Sequence, residues 1–190
     1  TWYVAEMARR HVTVALSGDG GDEAFAGYTT YAWARRYAGL DVIPRPLRRL
    51  AGLPAGWLHP DHGVGRKLRR LSLDVVDRHL EVMSYFPPRE LARVLSPSLA
   101  AHLRAHDPYA PARAEHARAR GAIGAVPALL AMDAATYLTD DVLVKVDRTS
   151  MLESLEVRCP LLDHELLEFT ARIPFEYKLR GDVSKWILKE

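Results

Sequence analysis

Residues 12–28, Val-Thr-Val-Ala-Leu-Ser-Gly-Asp-Gly-Gly-Asp-Glu-Ala-Phe-Ala-Gly-Tyr, restrict the fold of this chain more than any other stretch. A β-prone apolar run over 12–16 stops at Ser17, a glycine-rich acidic loop follows over 17–23, and a helical pattern begins near Ala24. The run is short and apolar enough to be a strand buried on both faces of a parallel sheet. Strand, glycine loop and helix, in that order, are how α/β proteins hold phosphate. Glycine lets the backbone come close, and free N–H groups at the helix start face the anion. Asp19, Asp22 and Glu23 put carboxylates in the same loop. Beside a phosphate site they suit a shared Mg²⁺, which takes one or two carboxylates together with phosphate oxygens.

Composition excludes several other classes. A chain of 190 residues is about one domain, long enough to bury a core. The formal charge of +2 is too small to argue for a nucleic-acid partner. Cys159 is the single cysteine, so neither an internal disulfide nor a cysteine zinc cluster can form, which fits a reducing cytoplasm. No apolar stretch approaches the roughly 20 residues of a transmembrane helix, so no membrane contact is expected. The start at Thr1 is not a signal peptide. The last residues, Lys189 and Glu190, fall inside a helical pattern, and both ends lead us to expect a piece of a longer protein.

Along the chain, residues 1–11 read as a helix and 24–38 as one helix ending at Gly39. Prolines and glycines between Pro44 and Gly65 predict short helices and turns. Residues 66–83 read as one amphipathic helix, Pro87-Pro88 opens a short one, and Ser96-Pro97 caps another. Residues 107–125 read as a loose connection. In the last third, 127–138 is helical, and Thr139-Asp140-Asp141 reads as the N-cap of a new helix. Residues 155–162 are extended. Asp163 caps a helix that Pro174 ends, and a final helix starts near Ser184. Three segments follow: 1–40 with the strand, loop and helix, 41–126 as a variable helical region, and 127–190 as a helical return.

Other patterns have plain explanations. His59 with His62, and His102 with His106, have metal-ligand spacing but no carboxylate or cysteine set to complete a site. Arg45, Arg48, Arg49, Arg66, Lys67, Arg69 and Arg70 are interleaved with little aromatic character, only Trp57, so they read as a solvated helical face. Tyr31, Trp33 and Tyr37 lie at helical spacing and read as packing residues. Asp147 with Arg148, and Glu156 with Arg158, read as structural ion pairs or backbone anchors.

Three blocks in order resemble a known family. They are residues 14–23 with Phe25, Gly27 and Tyr28; residues 137–148 with Ser150, Met151 and 154–163; and Lys178 with 185–189. The chain resembles the C-terminal, ATP-dependent synthetase domain of glutamine-hydrolysing asparagine synthetase. The match is poor from about residue 40 to 120. The resemblance implies an α/β fold, part of a Rossmann-like ATP-pyrophosphatase domain that is mostly helical with few parallel strands. It implies that an aspartate carboxylate attacks the α-phosphorus of ATP, that β-aspartyl-AMP and pyrophosphate form, and that ammonia from glutamine displaces AMP. ATP and Mg²⁺ are the implied cofactors. The implied partners are the substrates and a glutaminase domain upstream in the same polypeptide, with a homodimer possible in the cytoplasm. A first ATP loop of the Ser-Gly-Gly-x-Asp-Ser kind is also implied, and no such run occurs in these residues.

By resemblance, Ser17 and Gly18 contact the nucleotide, with Gly20 and Gly21 in the same loop. Asp22 is the acidic position for Mg²⁺ and pyrophosphate. Asp19 lies near the acyl-adenylate and handles protons from the amine. Lys185 stabilises the adenylation transition state, Lys178 assists with pyrophosphate, and Glu23 fixes the loop or the helix start. Cys159 stands where the family usually carries an aliphatic residue and reads as a core substitution. A related synthetase making an amide or β-lactam from another carboxylate fits the same motifs, as does a non-catalytic remnant that still binds nucleotide. If Lys185 belongs to the site, the fold must return it to the loop from the far end of the chain.

Overall fold

The computed structural model describes residues 1–56, 63–86, 91, 93–103 and 106–190. His59, His62, Trp57 and the Pro87-Pro88 helix start lie outside the described residues, as does the His102 side chain. The chain is mostly helical and divides into two compact units, residues 1–32 with 130–190, and residues 33–129. Among the described residues, no helix is long and apolar enough to cross a membrane.

The first unit is built on a parallel strand pair. Helix α1 (Trp2–Arg9) leads into β1 (Val14–Leu16), which pairs in parallel with β2 (Glu156–Arg158), Ala15 opposite Val157. Ser17 N–H donates to Arg158 O at 2.8 Å and Glu156 N–H to Thr13 O at 3.0 Å, so the ladder runs up to the first residue of the loop. The expected parallel pairing is present; the expected burial of both faces is not. Val14 is 39% exposed and Leu16 74%. Among the described residues β1 has one strand neighbour, so its apolar side chains are covered only in part.

The helix expected over 24–38 is two helices, α2 (Gly21–Phe25) and α3 (Thr29–Tyr37). Ala26, with φ of 54°, adopts the left-handed conformation that closes α2, and Gly27 N–H returns to Asp22 O at 2.8 Å. A left-handed residue that is not glycine is uncommon; this one is fully buried.

The new helix start expected at Thr139 is also absent. Helix α9 (Pro127–Asp133) runs through a π-helical stretch, Ala134–Val142, into α10 (Leu143–Leu152). Thr139 Oγ1 donates to Ala135 O and Thr136 O instead of capping a new turn, and Thr136 Oγ1 donates to Met132 O. Such back-bonding satisfies the hydroxyl within the helix and loosens its carbonyl ladder, which suits the wider turn. Of the extended run expected over 155–162, residues Glu156–Arg158 are β2, while Pro160–Leu162 turn as a short 3-10 helix. Asp163 Oδ1 accepts from Glu165 N–H and Leu166 N–H to cap α11 (His164–Arg172). Then come α12 (Phe175–Lys178), the antiparallel hairpin β3 (Leu179–Arg180) and β4 (Val183–Ser184), and α13 (Trp186–Lys189).

The second unit corrects two further expectations. The helix expected over 66–83 breaks at Asp74, which caps the later half by accepting from Asp77 N–H at 2.9 Å, giving α5 (Gly63–Ser72) and α6 (Val75–Met83). The loose connection over 107–125 is a helix, α8 (Ala110–Ile123), which follows α7 (Pro97–Leu103). Its alanines are strong helix formers, and Pro111 sits in the first turn, where no N–H is needed. Arg113 ties it to α6 through Asp77 at 2.7 Å, and the His116 ring is buried against Ala125 O at 2.8 Å.

Nor is the basic stretch one solvated face. In α4 (Arg45–Gly52), Arg48 turns inward while Leu47 and Leu50 are exposed. Asp41 accepts from Arg48 at 2.5 Å and from Arg78, and both arginines donate to Leu73 O. Arg69 pairs with Glu81, and the Arg70 guanidinium lies 5.6 Å from the Trp33 ring centre. Removing the shared carboxylate leaves two inward-facing cations without their anion. Asp41→Ala is therefore expected to cost about 3 kcal/mol, the low end for a broken buried pair because Asp41 keeps some contact with water. Urea unfolding of the variant against the wild type checks it.

Candidate functional site

The parallel pair delivers Ser17 to the carboxyl end of β1, where open α/β sheets bind ligands. Ser17 Oγ donates to Asp19 Oδ2 at 2.6 Å, and Asp19 N–H closes the turn on Ser17 Oγ at 3.4 Å. The Cys159 thiol, from the residue after β2, approaches the same Asp19 oxygen at 4.0 Å. Burial first, and then the Asp19 charge, pushes that thiol above its ordinary pKa. It stays protonated and is a poor nucleophile.

The loop glycines differ in what they face. Gly20 is left-handed, with φ of 85°, and a Cβ there would fall 2.1 Å from Leu162 Cδ2. A Cβ on Gly21 would fall 2.8 Å from Leu161 Cδ1. These two glycines let the turn over Pro160–Leu162 pack against the loop. Gly18 alone of the three opens onto free space, so its backbone is the one a ligand can approach.

Lys185 comes back to this loop. Its Nζ stands 3.0 Å from Asp22 Oδ1, and its backbone N–H donates to Phe25 O at 3.2 Å. The residue is itself left-handed, with φ of 51°. Strain of this kind persists only where surrounding contacts hold it. Gly27 makes room for the pair: a Cβ there would lie 1.9 Å from Asp22 Oδ1 and 2.2 Å from Lys185 Cε. Gly27 belongs to the first matching block; its task is steric and depends on a contact 158 positions away in sequence.

Lys178 and Lys185 flank the hairpin in which Leu179 pairs with Ser184, so the backbone brings both lysines to one end of it. Lys178 is 7% exposed and makes no ion pair among the described residues. Burial alone lowers its pKa below the ordinary 10.5. The structure places it near the site's return strand but in no contact with Asp19 or Asp22.

Behind the loop is a buried polar cluster whose hydrogen bonds join Glu23, expected to fix the loop or the helix start, to Tyr28, and Tyr31, expected as packing, to Asp133. Glu23 faces inward and accepts from Tyr28 Oη at 2.7 Å, and Tyr31 Oη donates to Asp133 Oδ2 at 2.6 Å. Burial raises the Glu23 pKa against the opposing pull of the Tyr28 bond, and the charges of Asp22 and Asp133 add to the rise. Tyr28 and Tyr31 are pushed upward too, by burial first. The Tyr28 ring lies 5.8 Å from Tyr31 and 6.0 Å from Tyr137, centre to centre. Three tyrosines and two acids at these spacings were the available signal. Asp147 and Arg148 pair with nothing ionic among the described residues, whereas Arg158 and Glu156 form an exposed pair at 2.7 Å.

On the other side of Ser17 and Asp19 a cavity of about 480 Å³ opens between α1 and α10. Val4, Ala15, Val142 and Val157 wall it, and Lys145 adds a charge. It offers apolar space next to a carboxylate.

As a metal site the loop is incomplete by itself. No cluster of three or more histidine, cysteine or acidic side chains stands ready for a metal among the described residues. Asp22 supplies one half-exposed carboxylate, already shared with an ammonium. That donor set fits a magnesium ion whose remaining ligands are phosphate oxygens and water, and does not fit a resident structural metal.

The sequence model of the asparagine synthase family matches residues 1–190. A Mycobacterium tuberculosis protein named Putative asparagine synthetase (glutamine-hydrolyzing) is 35% identical over 189 residues, 99% of this chain and 28% of its own length. Asparagine synthetase (glutamine-hydrolyzing) 1 of Bacillus subtilis is 28% identical over 193 residues, all of this chain and 29% of its own length. A Methanocaldococcus jannaschii protein, Putative asparagine synthetase (glutamine-hydrolyzing) 2, is 52% identical over 48 residues, a quarter of this chain. The chain thus spans under a third of the length of these relatives. No solved structure matches it.

Two outcomes follow from the geometry. Gly27→Ala is expected to displace Lys185 from Asp22, since 1.9 Å is no possible contact; a crystal structure of the variant reads the pair directly. Lys178→Met is expected to raise stability by about 1 kcal/mol at neutral pH, as removal of an unpaired buried cation does. With the folded pKa below 10.5, the unfolded chain binds more protons in the window below that value. Wild-type stability therefore rises with pH there, and the advantage of the variant disappears as pH reaches 10.5. Urea unfolding of both proteins across that range checks it.

Proposed function

The chain belongs to the asparagine synthase family, and from that premise we propose that it forms part of the ATP-consuming half of a ligase that makes asparagine from aspartate and glutamine-derived ammonia. The observation that carries this reading is the return of Lys185 to Asp22 at the carboxyl end of a parallel strand pair. One ammonium and one metal-competent carboxylate, side by side at a glycine loop, suit transfer of a nucleotidyl group to a carboxylate. Charge builds on the α-phosphate and on departing pyrophosphate, and fixed cations there lower the barrier.

In this reading the domain is the later part of a Rossmann-like ATP-pyrophosphatase sheet. Ser17 and the open backbone at Gly18 hold the nucleotide, while Gly20 and Gly21 shape the loop. Asp22 holds magnesium, which when bound neutralises phosphate charge. Lys185 stabilises the adenylation transition state, and Lys178 has a reason to be buried without an acid if pyrophosphate is its partner. Asp19, hydrogen-bonded to Ser17, stands where it can take a proton from the incoming amine to give the amide and release AMP. The carboxylate acceptor is aspartate in this proposal, and the glutaminase would lie upstream in a cytoplasmic protein.

The test uses the complete enzyme. Aspartate-dependent exchange of labelled pyrophosphate into ATP is expected with magnesium present. Asp22→Ala or Lys185→Ala should lower the exchange by about 100-fold or more, as removal of a group acting in the transition state does. Exchange supported only by another carboxylic acid would replace aspartate as the acceptor. Near-normal exchange in both variants would overturn the site.

A further inference from the structure

We infer that Lys185 and the divalent cation compete for Asp22, so that arrival of the metal and release of the lysine toward phosphate are a single exchange of ion partners. This rests on the proposed nucleotide site and adds how that site is armed.

The geometry shows which parts are free to move. The Lys185 backbone is pinned: its N–H is held by Phe25 O at 3.2 Å, and its left-handed φ of 51° falls directly after the last paired residue of the hairpin. The side chain is 31% exposed, and that of Asp22 is 36% exposed. A change of partner therefore needs only rotation about side-chain bonds, with no movement of a segment. Gly27 leaves bare backbone beside both groups, so no third side chain there holds either of them.

Charge favours the exchange in one direction. Lys185 pairs with Asp22 and with no second carboxylate among the described residues. Asp19 accepts from Ser17, and Glu23 is turned inward to Tyr28. When a divalent ion takes Asp22, it draws the carboxylate charge away from the ammonium and the local positive charge rises. A phosphate group then becomes its available partner. Without the metal, an incoming phosphate meets a neutral ion pair in place of an unpaired ammonium. The loop thus discriminates in favour of metal-bound polyphosphates over free anions.

Reciprocity makes this measurable without turnover. If the lysine weakens metal binding by some factor, the metal weakens the lysine–aspartate pair by the same factor. Manganous chloride is the probe, titrated into the complete enzyme without nucleotide, where water takes the places left for phosphate oxygens around the metal. Its paramagnetic broadening of the amide signals from Gly20, Gly21 and Gly27 gives the midpoint. Lys185→Met is expected to lower that midpoint about tenfold, within the usual span of site coupling. Lys185→Arg, which keeps the charge and the folded hairpin, should stay near the wild-type value, and Asp22→Asn should abolish the broadening. Equal midpoints in wild type and Lys185→Met overturn the exchange, as does absence of manganese from the loop in Lys185→Met. The proposed function fails separately, through pyrophosphate exchange that survives loss of Asp22 or Lys185.

Discussion

An ammonium 3.0 Å from a carboxylate, Lys185 on Asp22, joins the last turn of the chain to its first loop, and the shape of the site follows from that contact. Helix α2 has to end early so that Gly27 can pass beside the pair. Ala26 accepts a left-handed backbone to end it. Lys185 accepts one as well, as the hairpin turns into α13. Two non-glycine residues in this conformation, one on each side of one ion pair, mark where the fold gives up local comfort for position.

The buried acids behind the loop serve the same end. Glu23 and Asp133 lie in a protein interior, where an unpaired carboxylate is costly. Each takes a tyrosine hydroxyl, Tyr28 and Tyr31 respectively, and the Tyr28 ring packs tilted against Tyr31 and edge-on to Tyr137. The cluster fixes α2 against α3 and the π-helical stretch. Asp22 can then face solvent from a helix whose next residue faces inward. A five-residue helix would not hold such an alternation by hydrogen bonding alone.

Much of the local structure was legible in the sequence, because its causes are local. The strand after α1, its stop at Ser17, the Asp163 cap and the break at Pro174 each depend on neighbours within a few positions. The misreadings have two causes, a local alternative for a side chain and partners distant in sequence. Thr139 reads as a cap because a threonine before two aspartates usually is one, yet its hydroxyl finds carbonyls in the turn it already occupies. Residues 107–125 read as loose because two prolines and two glycines interrupt a stretch of alanine and arginine, while Arg113 is held by Asp77, 36 positions away in sequence. Arg48 reads as a surface residue because nothing nearby predicts that Asp41 and Leu73 will enclose it.

For the site, the sequence alone determined the chemistry on offer: a glycine loop, three acids and two late lysines, in an order that marks the family. It could do so because those residue types carry their chemistry with them. Tertiary structure decided which of them meet. It gave Asp22 to Lys185, turned Glu23 to Tyr28, left Lys178 buried without an acidic partner among the described residues, and assigned Gly20 and Gly21 to packing while Gly18 faces open space. Meeting is a matter of a few ångströms across more than a hundred residues of chain. Only the parallel pairing of β1 with β2 and the turn of the final hairpin set those distances.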